Sequence, residues 1–191
     1  MIRIPAIVAA ALLLTIAQPA YAEVEPVSDN AEMSAMFEAD QAAREGGDID
    51  WQTVMREDAA RLRRTRELLD ADALNTADDY YNAAFIFQHG DEAEDYLLAH
   101  VLAVRSLALG KAKAEWIAAA SLDRYLQSIA RDQIFGTQRS MSPIKSANQG
   151  RYDRNLLTDK LRVEAGVEPL LEQQAKLEEM DENRPADWQL P

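Results

Sequence analysis

The chain contains no cysteine, and basic residues are scarce beside acidic ones, with 20 Lys and Arg against 33 Asp and Glu. The absence of cysteine excludes disulfides, thiol catalysis and cysteine-based zinc sites, so the hydrophobic core alone must stabilise the fold. The net charge of −13 disfavours nucleic acid and anionic membrane surfaces as partners and suits a basic protein partner. No apolar run of membrane-spanning length follows the first 22 residues.

Those first 22 residues have the pattern of a cleavable secretory signal. Arg3 gives a positive start, an apolar run covers 4–16, and Ala20-Tyr21-Ala22 forms a small-x-small cleavage site. The apolar run is shorter than the roughly 18–20 residues of a membrane-spanning helix, which makes an uncleaved anchor the less favoured alternative. We therefore expect a periplasmic or secreted protein with no stable membrane insertion after signal cleavage.

The rest of the chain predicts an all-α fold, a multi-helix bundle of antiparallel helix pairs. Thr76 with Asp79 forms a capping box for the third helix, and Asp91 with Glu94 offers the same signal for the fourth. Residues 132–155 lack helical periodicity, and a short β-hairpin is expected near 133–153. A flexible leader (23–30), a single helical domain (31–182) and a tail (183–191) are expected. The predicted helices cover about 31–45, 50–70, 77–89, 91–110, 111–131, 156–165 and 169–182.

Apolar stripes with the helical period predict which faces are buried. In the second helix, one face carries Trp51, Met55, Leu62 and Leu69. The fifth helix is apolar around most of its circumference, which is typical of a buried helix.

Ionisable residues interrupt these stripes in four helices. They are Asp40 and Arg44 in the first helix, Asp58 in the second, His100 in the fourth, and Asp123 and Arg124 in the fifth. A buried charge must find a partner or change its protonation state. One interpretation is a structural network, with Asp40–Arg44 and Asp58–Arg124 as its pairs. The other is a ligand or catalytic pocket, in which an Asp and His100 form an acid–base pair.

Three further polar features have interpretations of their own. His89 ends the third helix, where the helix dipole favours a cation. A metal site near His89 and His100 is not expected because the recognised ligand spacings are absent, and no cofactor is expected. The run of Arg61, Arg63, Arg64 and Arg66 predicts a solvated helix face.

The segment 133–138, Gln-Ile-Phe-Gly-Thr-Gln, directly follows the fifth helix. Gly136 gives its backbone freedom, and the Gln133, Thr137 and Gln138 side chains offer neutral hydrogen-bonding groups. It predicts either a turn packed on the end of the bundle or a loop that holds a polar ligand.

Several short segments together are similar to a bacterial family, a mainly helical domain of unknown function. They are 37–44 with Asp-Gln-x-x-Arg, 83–90 with Gln-His-Gly, 121–126 with Asp-Arg, and 133–138 with Gly-Thr-Gln. The resemblance covers about residues 37–174, although Phe135 stands where the family pattern has Tyr. It implies a helical fold and a set of polar residues, not a reaction. That set is Asp40, Gln41, Arg44, Gln88, His89, His100, Asp123, Arg124, Gln133 and Gln138.

These patterns predict an exported binding or interaction module with a pocket of Asp, Arg, His and Gln side chains. Arg44 or Arg124 is expected to hold an anionic group of a small polar ligand. A periplasmic hydrolase that acts on cell-wall sugar or peptide with Asp40, Asp58 or Asp123 and His100 is the main alternative. A polar network that serves only the fold is the second alternative.

Overall fold

The computed structural model describes residues 27–46, 49–185 and 188. This part of the chain forms seven α-helices and one two-stranded antiparallel sheet, which confirms the all-α prediction with a short hairpin. The predicted signal at 1–22 and residues 23–26 of the predicted leader lie outside the described residues. The elements are α1 (Ala31–Ala42), α2 (Trp51–Asp70), α3 (Ala77–Gln88), α4 (Ala93–Ala108), α5 (Ala114–Ser128), β1 (Ser140–Ser142), β2 (Lys145–Asn148), α6 (Asp159–Glu164) and α7 (Leu170–Glu182).

Side-chain caps explain where most helices begin. The Asn30 side chain accepts from the Met33 amide at the start of α1, and Thr76 with Asp79 forms the predicted capping box of α3. The predicted start of α4 is wrong. Its N-cap is Glu92, which makes no side-chain cap hydrogen bond, and the preceding residues form the turn from α3.

The core lies where α3, α4 and α5 pack together, with α1 and α2 against α3. Alanines at contact positions, including Ala83, Ala99 and Ala118, let these helices approach closely. Phe87 of α3 is fully buried and fills the space between them. In the described residues, no helix is both long and apolar enough to cross a membrane.

The predicted buried face of α2 is wrong in its first half, whereas Leu62 and Leu69 of its second half are partly buried and pack against the core. Trp51 and Met55 are 57% and 64% exposed, whereas Val54, Arg61, Thr65 and Leu68 are buried. The helix is rotated because its inner face carries the polar groups that pair with α1. Apolar periodicity alone therefore predicted the wrong face for the first half of α2.

The segment after α5 covers the end of the bundle. Gln133 forms an isolated parallel bridge with Tyr152, and β1 pairs with β2 inside the predicted 133–153 range. The last helix, α7, packs against β2. Close packing requires glycine at position 136, where φ is +81° and an added Cβ would lie 2.7 Å from both Gln149 Nε2 and Tyr152 Cε1.

Candidate functional site

A buried ion-pair cluster joins the end of α1 to α2. Asp40 is fully buried in the last turn of α1, and Arg44 follows one turn later. Arg44 Nη1 donates to Asp40 Oδ1 at 2.8 Å, and its Nη2 donates to Asp58 Oδ2 at 2.6 Å. One guanidinium therefore bridges carboxylates from two helices.

Arg61 completes this cluster, although the sequence placed it on a solvated face. It is only 8% exposed, and its Nη2 donates to Asp58 Oδ1 at 2.6 Å. Its Nε lies 3.7 Å from Asp40 Oδ1. The expected Asp58–Arg124 pair is wrong, because both oxygens of Asp58 accept from Arg44 and Arg61. Glu57 Oε2 also lies 3.4 Å from Arg61 Nη1, so the two guanidiniums face three carboxylates here.

His89 is the point at which this cluster meets the surface. Its Nδ1 lies 3.0 Å from Asp40 Oδ1, and its side chain is 16% exposed. Burial raises the pKa of Asp40, but the His89 hydrogen bond and the charges of His89 and Arg44 outweigh it, so the pKa lies below the ordinary value. An ionised carboxylate only accepts, which places a proton on Nδ1.

The other ring nitrogen of His89 is free. Among the described residues, Nε2 has no hydrogen-bond partner, and it is not enclosed. His89 and Asp58 line a groove of about 260 Å³ between α2 and the α3–α4 turn. The groove is lined by Met55, Asp58, Ala59, Leu62, Arg63, His89, Gly90 and Asp91.

The cluster resembles a metal site in its ligand types but not in its charges. Oxygen and nitrogen atoms of Asp40, Asp58 and His89 lie within 4.8 Å of one another. Both carboxylates, however, already accept from guanidinium groups of Arg44 and Arg61 at 2.6–2.8 Å. These two positive charges oppose a divalent cation, so the residues present do not fit a metal ion.

Asp123 has a structural role at the end of the bundle. It is fully buried in α5 and accepts four hydrogen bonds from the following loop. The donors are the amides of Ile134, Phe135 and Thr137 and the Thr137 hydroxyl, at 2.7–3.0 Å. Its carboxylate fixes the loop and has no access to a ligand.

Gln133 and Gln138 also hold this loop. Gln133 is buried and its Oε1 accepts from the Gln138 amide at 3.0 Å, while its Nε2 donates to the Gln138 and Gln149 carbonyls. Gln138 Nε2 donates to the Ala120 carbonyl of α5 at 3.0 Å. The Gly-Thr-Gln segment is thus a turn tied to α5 by its own side chains.

Arg124 lies on the other side of the α3 C-terminus. Its Nη1 donates to the Gln88 carbonyl at 2.9 Å, and its Nε donates to Gln138 Oε1 at 3.1 Å. Burial lowers the pKa of Arg124, and nearby Arg44 lowers it further while Tyr96 raises it. Gln88 itself is buried, and its Oε1 has no partner among the described residues.

The structure separates His100 from the three candidate carboxylates. Its Nδ1 lies 2.8 Å from the Ala118 carbonyl, and it lines a pocket of about 230 Å³ beside Phe135 and Glu115. In the described residues, it forms no hydrogen bond or ion pair with Asp40, Asp58 or Asp123. The Asp–His contact that does form is Asp40 with His89.

The predicted residues therefore divide into two groups around the α3 C-terminus and one outlier. The first group is Asp40, Gln41, Arg44, Asp58 and His89, in which Gln41 Nε2 donates to Asp40 Oδ2 at 2.8 Å. The second is Gln88, Asp123, Arg124, Gln133 and Gln138, and His100 is the outlier. The sequence analysis did not include Arg61 in the site. Its position three residues after Asp58 was the one signal that indicated an ion pair between them.

The comparisons with known proteins add no relative. No family model, no curated protein and no solved structure matches the chain. The resemblance to a bacterial helical family therefore stays a prediction.

Proposed function

We propose that the protein is an exported binding module that takes a small, neutral polar ligand in the groove beside His89. The observation that carries this proposal is the Asp40–His89 hydrogen bond of 3.0 Å, which in the neutral form of His89 leaves Nε2 as an unpaired acceptor at the groove. A buried carboxylate that orients an imidazole fixes which nitrogen faces the ligand.

The charges and size of the groove define the class of ligand. Both guanidiniums of the cluster beneath it are paired with carboxylates, and its rim carries one acid, Asp91, and one base, Arg63. The side chains of Met55, Ala59 and Leu62 form the apolar part of the groove wall. A volume of about 260 Å³ suits a ligand of monosaccharide or dipeptide size with hydroxyl or amide donors. Export, which the N-terminal pattern predicts, is consistent with a cell-wall fragment as this ligand.

Calorimetric titration with N-acetylglucosamine and with the dipeptide alanyl-alanine tests the proposal. His89→Asn keeps a donor for Asp40 but deletes Nε2, and should weaken binding by about tenfold, the value of one good hydrogen bond. His100→Asn is the matched control, since it keeps a donor for the Ala118 carbonyl, and should bind as the wild type does. The proposal is wrong if neither probe binds or if both variants bind equally well.

The same Asp–His contact favours a second candidate function, a hydrolase with His89 in place of His100 as general base. In this case Nε2 takes a proton from the attacking water and returns it to the leaving group. Asp58 cannot serve as an opposing carboxylate acid, because both its oxygens are held by arginines. Turnover of soluble cell-wall fragments that His89→Asn abolishes and His100→Asn keeps would favour this second function over binding alone.

A further inference from the structure

Arg124 differs from the other arginines of the described residues that are not exposed. Within the described residues, six arginines are not exposed, and five of them have a carboxylate within 4.0 Å. Those five are Arg44, Arg61, Arg139, Arg162 and Arg184. Arg124 has none in the part of the chain that the structure describes. Carboxylates are plentiful in this sequence, so their absence here is not a shortage of acid.

The groups that do contact Arg124 are neutral. They are the Gln88 carbonyl and Gln138 Oε1, while the ring of Tyr96 lies 5.8 Å from the guanidinium carbon. Removing an arginine from water without a counter-charge is costly, and an uncompensated buried charge is rarely retained without a partner. The charge of nearby Arg44 is paired with Asp40 and Asp58, and the acids around Tyr96 are Asp91, Glu92 and Asp95.

Arg124 also has N–H donors that have no partner in the described residues. A guanidinium has five N–H groups, and only Nη1 and Nε of Arg124 are bonded in the described residues. Its Nη2 is not enclosed by protein, and neither is the Tyr96 hydroxyl, which likewise has no partner in this part of the chain. A planar guanidinium with free N–H groups suits two oxygens of a carboxylate or phosphate.

We propose that Arg124 binds an oxyanion, with Nη2 as the principal donor and the Tyr96 hydroxyl as a second contact. This site goes beyond the neutral-ligand groove and does not depend on it, because His89 takes no part. The two sites lie on either side of the α3 C-terminus, where consecutive residues Gln88 and His89 contact Arg124 and Asp40 respectively. The ligand class is a small carboxylate or phosphate, alone or as a group on a larger molecule.

A purely structural role for Arg124 gives a different expectation. Arginines near a helix C-terminus stabilise the helix by donating to its last carbonyls, and Gln88 is the last residue of α3. In that case Arg124→Gln lowers the melting temperature equally in every buffer. An oxyanion site instead predicts that the difference between wild type and variant grows with the concentration of the anion.

Thermal melts in chloride buffer, with inorganic phosphate or acetate added at constant ionic strength, test the site. The wild type should gain several degrees at about ten times the dissociation constant. Arg124→Gln should lose this gain, whereas Arg139→Gln, which breaks the Arg139–Glu168 pair, and His89→Asn should keep it. The better of the two anions identifies phosphate or carboxylate as the recognised group.

A spectroscopic titration covers the case in which Arg124→Gln does not fold. Phosphate or acetate added to ¹⁵N-labelled wild-type protein should shift the Arg124 side-chain signal and the amides of Gln88 and Gln138. The proposal is overturned if neither anion raises the wild-type melting temperature above the chloride control, if Arg124→Gln keeps the gain, or if the shifts lie elsewhere. If the groove probes do not bind but phosphate or acetate does, the proposed function is refuted and the oxyanion site at Arg124 is not.

Discussion

At the scale of single residues, a few polar side chains have fixed and separate tasks. Asp123 holds a loop through four hydrogen bonds, whereas Asp40 holds two cations and a histidine. The two aspartates are both fully buried, so burial alone does not distinguish them. Their partners do: Asp123 contacts loop amides and a loop hydroxyl, whereas Asp40 contacts charged side chains and the partly exposed His89.

Asp40→Asn should destabilise the protein by about 3–5 kcal/mol near neutral pH, because Arg44 and Arg61 then share Asp58, and only the exposed Glu57 remains as a further partner of Arg61. The pKa of Asp40 is lower in the folded than in the unfolded protein. Its contribution to stability is therefore complete above the unfolded value and is lost as the pH falls through the folded value.

Urea unfolding of wild type and Asp40→Asn across this acidic range measures the effect. The gap between their unfolding free energies should narrow as the pH falls below 3.8, the ordinary value for aspartate. The exposed Asp70→Asn, at the end of α2, is the control and should show no such gap. A gap that is constant with pH would contradict the assigned role of the Asp40 charge.

The sequence predicted some of these contacts and could not predict others. Asp40 and Arg44 are four residues apart on one helix, so their pairing follows from helix geometry. The contact of Asp40 with His89 joins residues 49 apart and depends on how α1 packs against α3. The sequence therefore paired an aspartate with His100, whereas the structure pairs Asp40 with His89.

At the scale of elements, local sequence signals predicted where the helices lie in the chain better than they predicted which face of each helix is buried. The capping box at Thr76 and Asp79 is a local motif and was predicted correctly. The inward face of α2 was predicted only in part, because it includes Arg61, which is buried and paired with Asp58. Periodicity of apolar residues cannot detect a face that is buried through its charges.

The loop after α5 depends on glycine at one position. Gly136→Ala and Gly110→Ala both put a side chain at positive φ, +81° and +98° respectively. At Gly110 the new Cβ meets no atom within 4 Å, so only backbone strain of about 1–2 kcal/mol is expected. At Gly136 it also clashes with Gln149 and Tyr152, which should add about 1–3 kcal/mol.

Chemical unfolding of the two glycine variants distinguishes the cost of backbone strain from the cost of the side-chain clash. Gly136→Ala should lose more stability than Gly110→Ala by the amount that the clash adds. An equal loss for the two variants would show that the loop is not packed closely around position 136.

At the scale of the whole molecule, the dominant features are a helical bundle and a large negative charge. The bundle follows from composition and periodicity, and the charge from the excess of acidic residues. The compartment rests on the N-terminal pattern alone, so export stays a prediction.

Expression of the full chain in a bacterial host tests that prediction. The pattern predicts cleavage after Ala22, since Ala20-Tyr21-Ala22 places small residues at both recognition positions. Intact mass and N-terminal sequencing of the exported fraction should identify a chain that begins at Glu23. A chain that keeps residue 1 and stays in the cytoplasm would contradict export.

The proposed binding function depends on one ring nitrogen, Nε2 of His89, and ¹⁵N spectroscopy of the imidazoles measures its protonation and its contacts most directly. At alkaline pH, where histidines are neutral, His89 should carry its proton on Nδ1, and N-acetylglucosamine or alanyl-alanine should shift the Nε2 signal. The signals of His100 should not move. A proton on Nε2 of His89, or a signal that neither probe shifts, would contradict the proposed site.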